Sequence, residues 1–160
     1  MKFRPHLIAA AALIAASAAH ADSFNFSGTV DAGPLSGQTF AGSYTFNAAQ
    51  VSGSAFEQLA LSAFTLNFNS VTYTLNGSAT ADYADGVFLG LSYTSTNAAG
   101  TLSLLSGSMD VTDAFLHFQP TTGLESSGGY TVTAVPEPET WALMLGGLGA
   151  IGMLARRRKI

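Results

Sequence analysis

Phe64-Thr65-Leu66-Asn67-Phe68-Asn69 decides the fold. Its apolar residues occupy every second position and its polar residues the positions between. In a helix Leu66 would point almost opposite to Phe64, whereas in a strand the two share a face. The pattern recurs in Phe40-x-Gly42-x-Tyr44-x-Phe46, Val71-x-Tyr73-x-Leu75, Val87-x-Leu89-x-Leu91-x-Tyr93 and Tyr130-x-Val132-x-Ala134. Phe24, Phe26 and Val30 fit a first strand, Leu102 with Leu104 another, and Val111 to Gln119 reads as strand-like. Strands with one apolar and one polar face belong to antiparallel sheets that are wet on one side.

Turn chemistry separates these runs. Gly33-Pro34, Asn76-Gly77, Asp85-Gly86, Ala99-Gly100, Gly107 and Gly128-Gly129 punctuate them, and Asn-Gly and Asp-Gly are tight-hairpin dipeptides because both residues tolerate positive φ. Ala55 to Ala60 reads as a short helix or, with nearly equal weight, a strand. The expectation is an all-β domain over residues 22–134, an antiparallel β-sandwich or jelly roll of seven to nine short strands.

Composition narrows the function. Only 10% of the 160 residues are charged and 48% are hydrophobic, and the formal charge is −4. All six basic residues lie near the ends: Lys2, Arg4, Arg156, Arg157, Arg158 and Lys159. A body without a cation cannot meet nucleic-acid phosphates. The chain has no cysteine, which excludes disulfides, thiol catalysis and thiolate-held metals.

Both ends read as targeting devices. Lys2 and Arg4 precede the apolar run Leu7 to Ala19, and Ala19-His20-Ala21 places small residues where a signal peptidase reads. Residues 1–21 are therefore expected to be a signal peptide cut before Asp22, for export across a bacterial-type membrane. At the other end, Val135-Pro136-Glu137-Pro138-Glu139 is stiff and extended. Trp141 to Ala155 then runs 15 residues without a charge, about 22 Å as a helix. That is short for a transmembrane helix. Arg156, Arg157, Arg158 and Lys159 form a stop-transfer cluster that stays cytoplasmic.

The triplet Pro136-Glu137-Pro138, then Thr140-Trp141-Ala142-Leu143, the glycine-rich span and the arginine run together resemble a PEP-CTERM sorting signal over residues 135–160. The resemblance implies a motif at 135–139, a transmembrane helix at 141–155 and a basic tail at 156–160. It implies a substrate of exosortase, a transpeptidase-like membrane enzyme taken to recognise the motif and remove the span. It also implies a Gram-negative bacterium, an inner-membrane precursor, and a final place at the cell surface or in an extracellular polysaccharide matrix.

Chemistry within the body is sparse. His117 has Asp113 four residues before it, on one face of a strand, but no G-x-S-x-G elbow accompanies them. No metal or other cofactor is expected. The nearest approach to a calcium site is Asp82 with Asp85, without a D-x-D-x-D-G loop; Asp110, Asp113 and Asp31 are further acids. Tyr83, Phe88 and Phe115 lie off the main alternating faces and could stack on sugar rings. The leading reading is a non-enzymatic structural or interaction protein of the surface or exopolysaccharide matrix. The alternatives are a secreted carbohydrate-binding module and a small secreted hydrolase. Exosortase and signal peptidase are the expected processing partners, with extracellular polysaccharide as a further one.

Overall fold

A computed structural model describes residues 22–135 and 145–149. Ten strands build the domain: β1 Asp22–Thr29, β2 Thr39–Phe46, β3 Phe56–Ala60, β4 Ala63–Phe68, β5 Val71–Thr74, β6 Thr80–Ala84, β7 Val87–Asn97, β8 Gly100–Leu105, β9 Phe115–Pro120 and β10 Ser126–Ala134. Every pairing is antiparallel. The strands form one sheet in the order β3-β6-β7-β8-β9-β10-β1-β2-β4-β5.

This single ladder differs from two separately paired sheets. It curls so that strands far apart in the order face one another. Phe64 of β4 stacks on Tyr93 of β7 with ring centroids 4.3 Å apart. Phe68 of β4 meets Phe118 of β9 edge-on at 5.6 Å. The enclosed core includes Phe26, Phe40, Tyr44, Phe46, Leu66, Leu91, Leu102 and Leu116. Each such burial stabilises the fold by about 1.5–3 kcal/mol. The alternating residues of β4 behave as read, with Phe64, Leu66 and Phe68 buried and Asn67 exposed.

One open local reading is decided and three change. Phe56–Ala60 is a strand, held in register by β6. Val111–Asp113 is a single 3₁₀ turn, and the strand starts only at Phe115. Gly128-Gly129 is not a turn but lies inside β10, where a Cβ on Gly128 would stand 2.2 Å from the Thr29 carbonyl oxygen. That close approach, not a reversal, demands the glycine. Finally, Val87 is 48% exposed because a β-bulge interrupts the β6–β7 pairing. Asp82 faces Gly90 while Tyr83 faces Phe88, so Leu89 is the extra residue. The bulge shifts the alternation by one, and Phe88 packs inward in place of Val87.

Two hairpin turns have left-handed residues in both central positions. Asp85 and Gly86 have φ of 50° and 79°, the I′ geometry that matches strand twist. Asn69 and Ser70, with φ of 49° and 61°, do the same between β4 and β5.

The proposed signal segment 1–21 (with Ala19 and Ala21), the motif residues Pro136, Glu137 and Pro138, and the basic tail Arg156 to Lys159 lie outside the described residues. So does most of the 141–155 span, of which 145–149 are helical. No helix among the described residues is long and apolar enough to cross a membrane.

Candidate functional site

The first site is where the sheet meets its two flanking segments. β10 lies between β9 and β1, pairing with β9 over residues 126–129 and with β1 over residues 130–134. Ala134 stands opposite Phe24, and the Val135 N–H donates to the Ser23 carbonyl at 2.9 Å. Asp22, the expected first residue after signal cleavage, opens β1. The start of β1 and the end of β10 are therefore side by side. The strand stops there for a covalent reason: Pro136 has no N–H to donate and biases Val135 toward extended backbone. The tail thus follows the last five residues of β10, which pair with β1, β9 having paired with the four before them.

The second feature is Asp82, 1% exposed on β6. Its Oδ1 accepts from Thr80 Oγ1 at 2.7 Å and Gln58 Nε2 at 3.2 Å. Its Oδ2 accepts from Ser92 Oγ at 2.5 Å and Ser106 Oγ at 2.8 Å. Four neutral donors from three strands and a loop thus meet one carboxylate. Its opposite residue across the strand pair is Gly90. Asp85, by contrast, sits in the β6–β7 turn. The two acids proposed to share a calcium ion are placed in different environments. Among the described residues no group of three or more His, Cys, Asp or Glu side chains is arranged to hold a metal.

Tyr83 and Phe88 face each other with centroids 5.2 Å apart, and their rings continue the core. Tyr83 meets Phe46 at 6.1 Å and Phe88 meets Tyr44 at 6.4 Å. Burial is the main cause raising the Tyr83 phenol above its ordinary pKa, helped by the charges of Asp22 and Glu57. Phe115 is 36% exposed beside Leu105 on β8. The three candidate stacking residues thus do not make one platform.

His117 is not joined to Asp113. Its Nε2 lies 2.8 Å from Glu125 Oε2 at the surface. Asp113 instead accepts from the Ser108 N–H and hydroxyl at 2.9 and 2.6 Å, the cause that lowers its pKa. Asp110 accepts from the hydroxyl and N–H of Thr112 and is lowered in the same way.

One feature not anticipated is a shallow trough of about 450 Å³ across β1, β2 and β4, lined by Ser27, Thr29, Thr39, Ala41 and Asn67 among others. Ala41 stands between Ser27 and Asn67 in register, and its small side chain leaves the hollow. Asn67 accepts from Thr72 through Oδ1 at 2.7 Å, which leaves its amide hydrogens available as donors. The trough's polar groups are hydroxyls and one amide, set beside Gly28, Phe40 and Ala41, and no charged side chain lines it. The spacing of these residues is readable in sequence, but their alignment across three strands is not.

No curated protein and no solved structure matches the chain. Residues 134–159 match the family model of the PEP-CTERM protein-sorting motif. The matched segment begins at the last residue of β10, so motif and folded domain abut without a spacer. The chain thus carries a PEP-CTERM protein-sorting motif at residues 134–159, the mark of an exported protein targeted for sorting by exosortase.

Proposed function

We propose that residues 22–134 are the cargo of this sorting device: a non-enzymatic structural or interaction domain of the cell surface or the extracellular polysaccharide matrix. In this reading signal peptidase removes residues 1–21. Trp141 to Ala155 then holds the precursor in the inner membrane of a Gram-negative cell, with Arg156 to Lys159 on the cytoplasmic side. Exosortase acts near Pro136-Glu137-Pro138 and releases or transfers the domain.

The match at 134–159 carries the reading. It is supported by the adjacency of Ser23 and Val135, which brings both processing points to one end of the domain, where one membrane surface can serve both enzymes. The test is the mass of the mature protein from a host carrying exosortase. It should lack residues 1–21 and Trp141 to Ile160, and Pro138→Ala should leave uncut precursor in the membrane fraction. A surface protein that still contains Trp141 to Ile160 would reduce the tail to an ordinary anchor.

The uncharged trough favours a second reading, a carbohydrate-binding module. Its hydroxyls and the Asn67 amide suit the neutral hydroxyls of a sugar. Asn67→Ala should then weaken binding to a neutral polysaccharide, whereas Tyr83→Ala should act through stability.

A further inference from the structure

A curled but open sheet has two edges, and here they differ. At the β5 edge the Thr74 carbonyl accepts from the Tyr93 hydroxyl of β7 at 2.9 Å. Just beyond that strand, Asn76 Nδ2 donates to the Thr94 carbonyl at 2.8 Å. These two side-chain bonds tether the end of that edge to β7. At the other edge, the backbone of β3 bonds to β6, and among the described residues no further backbone bond reaches Phe56–Ala60.

The loop before β3 makes no backbone bond to this edge. The Glu57 carboxylate holds it by accepting from the Ser52 N–H and hydroxyl and the Gly53 N–H at 2.9–3.1 Å. The Asp85 N–H donates to the carbonyls of Ser54 and Ala55. Those bonds tie the loop to the β6–β7 turn and to the Glu57 side chain, and none reaches the backbone of Phe56–Ala60. Alternate N–H and C=O groups of an edge strand point outward and seek a partner strand. A lysine, a proline and a bulge are missing from Phe56-Glu57-Gln58-Leu59-Ala60, and its one charge, Glu57, is engaged by the preceding loop.

We propose that β3 is a self-association edge, where a second copy of this chain pairs antiparallel about a two-fold axis through Gln58. The strand is self-complementary in that register. Phe56, 59% exposed, faces Ala60 of the second copy, large against small. Glu57 faces Leu59 of the second copy, so no like charges oppose, and Glu57 is already occupied by its own loop. Phe56 also continues the outer row through Ala84 to the exposed Val87, so pairing shields an apolar row as well as joining backbones.

The chain has no cysteine, which makes crosslinking clean. The two Gln58 residues would be directly opposite, with Cα atoms about 4.5–5.5 Å apart, inside the range a disulfide spans. The full-length chain in mild detergent, treated with diamide, should give a covalent dimer for Gln58→Cys and none for Thr72→Cys on β5. The double variant Phe56→Cys/Ala60→Cys, which leaves the Gln58–Asp82 bond intact, should crosslink as well. Gln58→Lys keeps a donor for Asp82 and sets like charges across the axis, so its crosslinker-free mass should fall from dimer to monomer. Equal crosslinking at Thr72, no crosslink in either β3 variant, or an unchanged mass for Gln58→Lys would each overturn the proposal.

Discussion

The phenol oxygen of Tyr130, on β10, accepts the backbone N–H of Leu91, on β7, at 2.8 Å. These strands are three places apart in the sheet, so the bond crosses the interior. β8 pairs with β7 only from Tyr93 onward, which leaves the Leu91 N–H to a side chain. Tyr130→Phe keeps the ring and removes the acceptor. An unsatisfied buried N–H costs about 1–3 kcal/mol, and thermal unfolding of the variant should move down accordingly. An unchanged melting temperature would mean that water reaches Leu91.

Alkali should unfold the domain through its tyrosines. Burial is the first cause that holds Tyr44, Tyr73, Tyr83 and Tyr130 above the ordinary value of 10.0. Once the pH passes 10 the unfolded chain loses these protons and the folded chain keeps them. The unfolded state then binds fewer protons, and stability falls as pH rises. Phenolate absorbance followed alongside circular dichroism should show these phenols ionising together with unfolding. Full ionisation with the fold intact would contradict their burial.

Asp82→Asn should destabilise by about 2–3 kcal/mol, because hydrogen bonds to a charged acceptor weaken and an amide hydrogen is turned toward donors. In a domain of this size that lowers the melting temperature by roughly 10 °C. Asp85→Asn should leave it nearly unchanged, since Asn-Gly suits the same I′ turn. Equal effects would show that the hydroxyl cluster contributes nothing.

Gly128→Ala and Gly129→Ala should part company. A Cβ at 128 meets the Thr29 carbonyl oxygen at 2.2 Å and Val30 Cα at 2.6 Å, backbone that cannot swing aside, whereas at 129 the nearest atom is 3.8 Å away. The first should cost about 3 kcal/mol or more, the second within about 0.5 kcal/mol. Urea unfolding of both variants reads the difference directly.

How much of this was legible beforehand depends on the range of each interaction. Phe64, Leu66 and Phe68 announce their face because periodicity is local, and Asp85-Gly86 announces its turn because φ preference belongs to single residues. The sorting motif is a continuous string and reads as one. The bulge at Leu89 leaves no periodic trace, so Val87 and Phe88 exchanged faces unseen. Gly128-Gly129 looks like a turn because chain reversal and close approach select the same residue. Asp82 gathers donors up to 24 residues distant, and the trough needs three strands in register. Such juxtapositions are products of topology.

The placement of β10 has a mechanical consequence. A pull on the tail acts along a strand bonded first to β1, over residues 130–134, and then to β9, over residues 126–129. Hydrogen bonds of an antiparallel ladder lie across the strand, so the pull loads the β1 ladder in shear first and the β9 ladder behind it. A domain dragged by a viscous surroundings while its tail is held would transmit the load as shear, and the bond between Ser23 and Val135 would be among the first to feel it.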